Sequence, residues 1–398
     1  MEPLLYLVHR IPYPPNKGDK VRSYHLLKHL AAHYEVHLGT FVDEPRDWTH
    51  IPILEGLCAD VHAEPLHPAR ARVRSLAGLV TGQALTLPYY WNRGMSSWVQ
   101  RAIDNAGIRR AVVFSSAMAQ YLPDKPDLRR VVDFVDVDSD KWRQYADKKR
   151  WPMNWVYRRE SRELLKFERR TAETVDASAF VSEEEAALFR NLTGLTASRI
   201  HAVHNGVDFE FFDPGLDYPN PYSGDGPVMV FTGAMDYWPN VDAAKWFATE
   251  ILPRVRASRG TAEFYIVGAR PTDEVMALIQ IPGVTVTGTV DDMRPYLARA
   301  ALAVAPLRIA RGIQNKVLEA LAMEKMVVAT GEAAEGIGRC PALRVVVDNS
   351  ADSFAEEVIN QLEAGDGVTT GKSGRNFVCE HFDWQTNLSR FSELLEAG

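Results

Sequence analysis

Arg311-Gly312-Ile313-Gln314-Asn315-Lys316-Val317-Leu318-Glu319-Ala320-Leu321-Ala322-Met323 decides the reading of this chain. It lies between two short apolar runs with strand character, Ala301 to Pro306 and Met326 to Ala329. From Gln314 the period is helical: Ile313, Val317 and Leu321 recur every four residues, with Leu318 and Ala322 beside them. Asn315, Lys316 and Glu319 share the opposite face. The unit is therefore strand, glycine-containing turn, helix, strand. The first turn of a helix carries unpaired N–H groups and about half a positive charge, which suits a diphosphate. Lys316 adds a full charge there, and Glu319, one turn on, can accept hydrogen bonds from the hydroxyls of a ribose. An amphipathic helix with a solvated Lys and Glu explains the same residues, and the segment alone leaves both readings open.

Working outward, the alternation of strand and helix repeats along the whole chain. Leu4–Val8 leads into a loop whose prolines 12, 14 and 15 forbid helix, then into Gly18 and a helix that buries Val21, Leu26, Leu27, Leu30 and Ala31. Further strands are predicted at 36–41, 111–114, 130–134, 177–181 and 200–203. Ser182 and Glu185 form a capping box for the helix that follows the fourth of these. Asp213 to Pro227 holds four prolines and three glycines and no apolar period, so it is predicted to be a linker. Strands then resume at 228–232, 263–267, 284–287, 301–305, 326–329 and 343–347, and a helix closes the chain. Such alternation predicts two α/β domains with largely parallel sheets, facing across a cleft.

A length of 398 residues fits two domains. Net charge is −7, which argues against nucleic acid as the main partner. Cys58, Cys340 and Cys379 are too few and too far apart for a disulfide framework or a zinc site. Neither a signal-peptide layout nor a spanning apolar run is expected. The closest approach to a span, Leu76 to Tyr90, is interrupted by Gly78, Gly82, Gln83 and Pro88. No G-x-G-x-x-G occurs, which disfavours a nicotinamide enzyme. Gly371-Lys372-Ser373 ends like a P-loop, but the required glycine is Asp366, and the segment follows a helix. Lys141 to Arg170 mixes Trp142, Trp151 and Trp155 with many cations. That composition predicts contact with an anionic membrane surface, although Arg pairing with Glu160, Glu163 and Glu168 explains it equally well.

Taken together, His204-Asn205-Gly206-Val207-Asp208 with Phe212 and Pro214, Phe231-Thr232-Gly233, the helix Asn315 to Ala322, and Phe382-Asp383-Trp384 resemble a family-4 glycosyltransferase of the GT-B fold. Pro12 to Asp19 and Asp136 to Trp142 are similar to the subgroup that accompanies exosortase (PEP-CTERM) and exopolysaccharide loci. The resemblance implies an acceptor-binding domain over 1–212, a linker over 213–227, a nucleotide-sugar domain over 228–378, and a final helix over 379–398 that crosses back to the N-terminal domain. It implies a retaining transfer without a metal or other cofactor, from a UDP or GDP sugar to a glycan or lipid-linked acceptor, in the cytoplasm or on the inner face of the plasma membrane.

By the same resemblance Gly18, Asn205, Gly233, Val290, Asn315, Lys316, Val317, Leu318 and Glu319 contact the donor. Val290 belongs to the segment 287–291 that cups the base. Glu319 matches the second Glu of the family's E-x7-E signature, and Arg311 stands where the first is expected. An arginine cannot accept from a sugar hydroxyl but pairs with phosphate. The usual cations near Gly233 are also missing, so Arg311 and Lys316 are expected to supply that charge. Asp136 falls near the position of the family's acid–base residue, with Asp133, Asp138 and Asp140 around it, and is expected to act in catalysis with Glu319. Two other functions keep the fold: a nucleotide-sugar epimerase or phosphorylase-like enzyme, and a non-catalytic glycan- or nucleotide-binding protein.

Overall fold

A computed structural model describes residues 1–15, 18–147, 149–310, 312–364 and 367–397. Two compact units emerge, one of Met1–His204 with Gln385–Gly398, the other of Asn205–Trp384.

The first unit holds seven parallel strands: β1 (Pro3–Val8), β2 (Glu35–Val42), β3 (Asp60–Pro65), β4 (Arg110–Phe114), β5 (Arg129–Val135), β6 (Ala177–Phe180) and β7 (Ile200–Ala202). Their order is β3-β2-β1-β4-β5-β6-β7. β1 is buried along nearly its whole length, as expected of a central strand covered by helices on both faces. β3 has no apolar signature in the sequence, because it is an edge strand with exposed ends and no fully buried residue.

The second unit holds β8 (Val228–Thr232), β9 (Glu263–Val267), β10 (Val284–Gly288), β11 (Leu302–Ala305), β12 (Val327–Thr330) and β13 (Leu343–Val346), all parallel, in the order β10-β9-β8-β11-β12-β13. In each sheet the order reverses beside the first strand, at β1/β4 and at β8/β11. Ligands of open α/β sheets gather outside the carboxyl ends of strands at such switch points.

Three expectations are revised. The stretch 213–227 is no free linker: Tyr218 is buried in the core of the second unit, Tyr222 packs against that core, and the Arg299 guanidinium donates to the Tyr218 carbonyl. The division falls instead at His204/Asn205 and at Trp384/Gln385. There the returning chain bridges Val207 to Asp383, and a Cβ on Gly206 would lie 2.6 Å from the Trp384 nitrogen, so only glycine fits.

The helix Gly18–His33 buries Leu26, Leu27 and Leu30 as expected, but it also buries Lys20 and Arg22 in place of Val21 and Ala31. Lys20 meets Asp47 at 2.6 Å, and Arg22 grips Asp133 through two bonds of 2.7 and 3.2 Å. The closing helix, Trp384–Glu396, packs on the first unit: the Arg129 guanidinium donates to the Leu394 carbonyl, and the Tyr34 hydroxyl donates to Glu396.

Candidate functional site

In the second unit the predicted helix spans Asn315–Ala322 and follows β11, while Gly233 follows β8. The two therefore flank the switch point of this sheet. The helix forms because Val317, Leu318, Leu321 and Ala322 seal one face into the core. Its other face carries Asn315, Lys316 and Glu319, all half-buried.

Gly233 is packed from below. A Cβ on Gly268, which follows β9, would stand 1.7 Å from the Gly233 carbonyl oxygen, so the two strand ends approach as only glycine allows. A Cβ on Gly233 itself would meet Asn240 Nδ2 at 2.8 Å and Lys316 Nζ at 3.1 Å. The Lys316 ammonium thus lies directly against the Gly233 turn. It donates to Asn240 Oδ1 over 2.5 Å and sits over the Phe231 ring, 4.5 Å from the centroid. Asn240 is fixed in turn by donating to the Ala234 carbonyl over 2.8 Å.

Burial pushes the Lys316 ammonium down to about 7, with Glu319 partly offsetting it. Burial pushes the Glu319 carboxyl up to about 7, with Lys316 opposing. Among the described residues Glu319 has no side-chain hydrogen-bond partner. A desolvated cation held by a neutral amide, next to an unbonded carboxyl, fits a surface shaped for an anion and a hydroxyl-bearing group.

Other predicted residues gather around this centre. Asn205 Nδ2 donates to Asn315 Oδ1 over 3.2 Å. The N–H groups of Val317 and Leu318 already donate to the Gln314 carbonyl, and both side chains are core. Gly312 has φ +60 and donates its N–H to Glu335, which sequence reasoning did not single out. Val290 lies past β10 and packs partly against the core, after Gly288 turns the chain at φ +70. Arg311 lies outside the described residues. Asn240 was also missed. Its only sequence signal is a poor helix former near the start of the helix Trp238–Trp246.

Gly18 and Asp136 lie in the first unit. Gly18 is exposed at the head of its helix, and an added Cβ would meet nothing within 4 Å. Asp136 follows β5 and is bound to Lys141 at 2.7 Å, with Asp138 at 3.3 Å from the same ammonium. These two carboxylates more than offset the burial of Lys141 and hold it protonated. Just before Asp136, Val135 adopts φ +67, rare for a β-branched residue, where the β5–β6 register shifts. Such outliers concentrate at working sites. Asp133 is not available to a ligand, being fully buried against Arg22. Asp140 is also buried, and it accepts from Arg143 and Gln144.

The capping Ser182 accepts from the Glu185 N–H, but the Glu185 carboxylate reaches across to the Val137 N–H at 2.8 Å. Glu168 approaches the Ser139 N–H at 3.3 Å, and burial pushes its carboxyl up to about 8. The segment around Asp136 is therefore held from below by two acids.

A family model described as "Glycosyl transferases group 1" matches residues 226–364, within the second unit. No curated protein sequence matches the chain. Among solved structures, WaaG, a glycosyltransferase involved in lipopolysaccharide biosynthesis, superposes with a TM-score of 0.67 at 14% identity, covering 99% of this chain and 100% of its own. Anabaena HepE in complex with UDP and glucose gives 0.67 at 14% identity over 100% of both chains. OtsA gives 0.69 at 10% identity over 99% of both. The chain therefore has the GT-B fold, two Rossmann-like α/β domains, and its second domain carries the glycosyl transferases group 1 pattern.

Proposed function

We propose that this chain is a retaining glycosyltransferase of the hexosyltransferase type. It moves a sugar from a nucleoside-diphosphate sugar, UDP or GDP, to a glycan or lipid-linked acceptor in bacterial surface polysaccharide synthesis. The observation that carries this reading is the placement of Lys316 against Gly233 at the switch point, with Glu319 half-buried one turn along the same helix. HepE, a fold relative, is solved in complex with UDP and with UDP-glucose, which supports a nucleotide-sugar donor.

In this reading the donor diphosphate replaces lost hydration at Lys316 and the helix N-terminus, and Glu319 accepts from the ribose hydroxyls. The bond from the anomeric carbon to the leaving phosphate oxygen breaks while the acceptor oxygen bonds to the same face. The acceptor proton passes to the leaving phosphate, so no protein base and no metal is needed. Asp136, poised on a strained strand end, orients the acceptor or stabilises positive charge at the anomeric carbon. The work is done at the inner membrane face, with the basic Lys141–Arg170 region towards the lipid. No described helix is long and apolar enough to cross a membrane.

A thermal-shift screen with UDP, GDP and their sugars tests the donor, since a ligand bound only by the folded form raises Tm. Transfer assayed with the stabilising sugar then tests the chemistry. No shift with any nucleotide, or a shift unchanged in Lys316→Ala, removes the proposal.

A further inference from the structure

The first unit carries an exposed surface that the donor site does not explain. Residues 68–81 form two short helices, Pro68–Ser75 and Ala77–Thr81. They turn Val73, Leu76, Leu79 and Val80 outwards, with Val80 91% and Val73 71% exposed. Single exposed apolar residues need no explanation, but four within eight positions form a patch.

Beside it the helix Met153–Thr174 begins, with Trp151, 80% exposed, Met153 and Trp155 also in solvent. The two segments are bolted together. Arg159, one turn beyond Trp155, donates to the Gly78 and Gln83 carbonyls at 2.7 and 3.1 Å. Glu160 accepts from the Leu85 and Thr86 N–H groups at 2.5 and 2.9 Å. Arg74 ties the same region to the Pro88 and Tyr89 carbonyls. The apolar side chains are therefore displayed on a rigid mount, and little ordering remains to be done when they are covered.

Charge identifies what covers them. The protein is acidic overall, at −7, yet no acidic residue occurs between Glu64 and Asp104, where there are five arginines. None occurs between Asp147 and Glu160 either, where there are five cations. Among the described residues Arg70, Arg72, Lys149 and Arg150 have no carboxylate partner. Apolar and tryptophan side chains bordered by unpaired cations match the headgroup layer of an anionic bilayer.

We propose that residues 70–80, with Trp151 and Trp155 beside them, form an in-plane anchor for an anionic phospholipid surface. Arg70 and Arg72 lie on lipid phosphates, and Val73, Leu76 and Val80 enter the upper acyl region. The proposal deepens the functional reading, which places a lipid-linked acceptor at such a surface, by naming a second segment outside Lys141–Arg170.

The test is flotation of the full chain with vesicles of phosphatidylglycerol and phosphatidylethanolamine, against phosphatidylcholine alone. Flotation is expected only with the anionic vesicles at low salt, and is expected to weaken as salt rises. Arg70→Gln/Arg72→Gln is expected to weaken it about fivefold per cation removed, hence more than tenfold together. Val80→Glu and Trp151→Ala, both at exposed positions, are expected to weaken it severalfold without altering Tm. Transfer to a soluble acceptor is expected to be unchanged in all of them, so failure of the anchor and failure of the transferase reading are told apart. Wild-type protein that does not float at low salt, or variants that float like wild type, would overturn the proposal. So would concentration-dependent self-association lost in Val80→Glu without vesicle binding, which assigns the patch to a second copy of the chain.

Discussion

Lys20 and Arg22 in the first unit and Lys316 in the second are all cations withdrawn from water, but they are partnered differently. Each of the first two has a dedicated carboxylate, Asp47 at 2.6 Å and Asp133 at 2.7 Å. Lys316 has a neutral amide, Asn240, and an aromatic face. A buried cation matched by a buried anion is complete as it stands. One bonded to a dipole, beside a Glu319 carboxyl that burial drives towards its neutral form, still gains from a negative charge brought to it. The contrast separates structural cations from a binding cation without reference to any relative.

The largest expected effect breaks the complete side of that contrast. Arg22→Ala leaves Asp133 buried and unpaired, and should cost about 3–5 kcal/mol, read from the urea midpoint of the first unit's transition. Lys316→Ala should do the reverse. Tm should hold or rise, while nucleoside-diphosphate affinity measured by calorimetry falls roughly 10- to 100-fold, the range of a lost charge-assisted bond. If Arg22→Ala proved harmless and Lys316→Ala unfolded the protein, the distinction would be void.

Titration sharpens the same comparison. The Lys316 ammonium titrates near 7 in the free protein, well below its unfolded value of 10.5. Bound phosphate favours the charged form, so above pH 7 binding takes up a proton and affinity falls as pH rises, by at most about tenfold per pH unit. Between pH 7 and 9 the wild-type dissociation constant should climb, and that of Lys316→Arg should stay flat, because a guanidinium does not titrate there. A flat wild-type profile, together with an affinity unchanged in Lys316→Ala, would show that Lys316 is not the phosphate ligand. The smallest effect belongs to an exposed pair: Arg169→Ala, which loses a 3.0 Å contact with Glu173, should move stability by about 0.3–0.5 kcal/mol.

Much of this was legible in the chain. The helix Asn315–Ala322 announced itself because one apolar stripe and one polar stripe share a period of 3.6, and the central strands such as β1 and β8 because they are almost wholly apolar. What stayed hidden depends on partners far along the chain. Nothing local marks Lys20 and Arg22 as buried, because their partners Asp47 and Asp133 come from 27 and 111 positions away. Asn240 gave no charge signal, yet it holds Lys316 from 76 positions away. The prolines and glycines of 213–227 resembled a free tether, but Tyr218 is packed as core. Asp136 was legible as an acid near a strand end, whereas the left-handed Val135 before it was not, since nothing in the side chain of valine favours that backbone.

The chain leaves the first unit at His204 and returns to it at Gln385, so that unit is discontinuous in sequence. On the ribosome its sheet emerges first, but the helix bearing Leu394 and Glu396 is made only after the whole second unit. Until then Arg129 lacks the Leu394 carbonyl, and Tyr34 and Arg110 lack the Glu396 carboxylate. A fragment ending at His204 should therefore be short-lived in the cell even though it contains every strand of its sheet. Adding residues 385–397 as a separate peptide should rescue it.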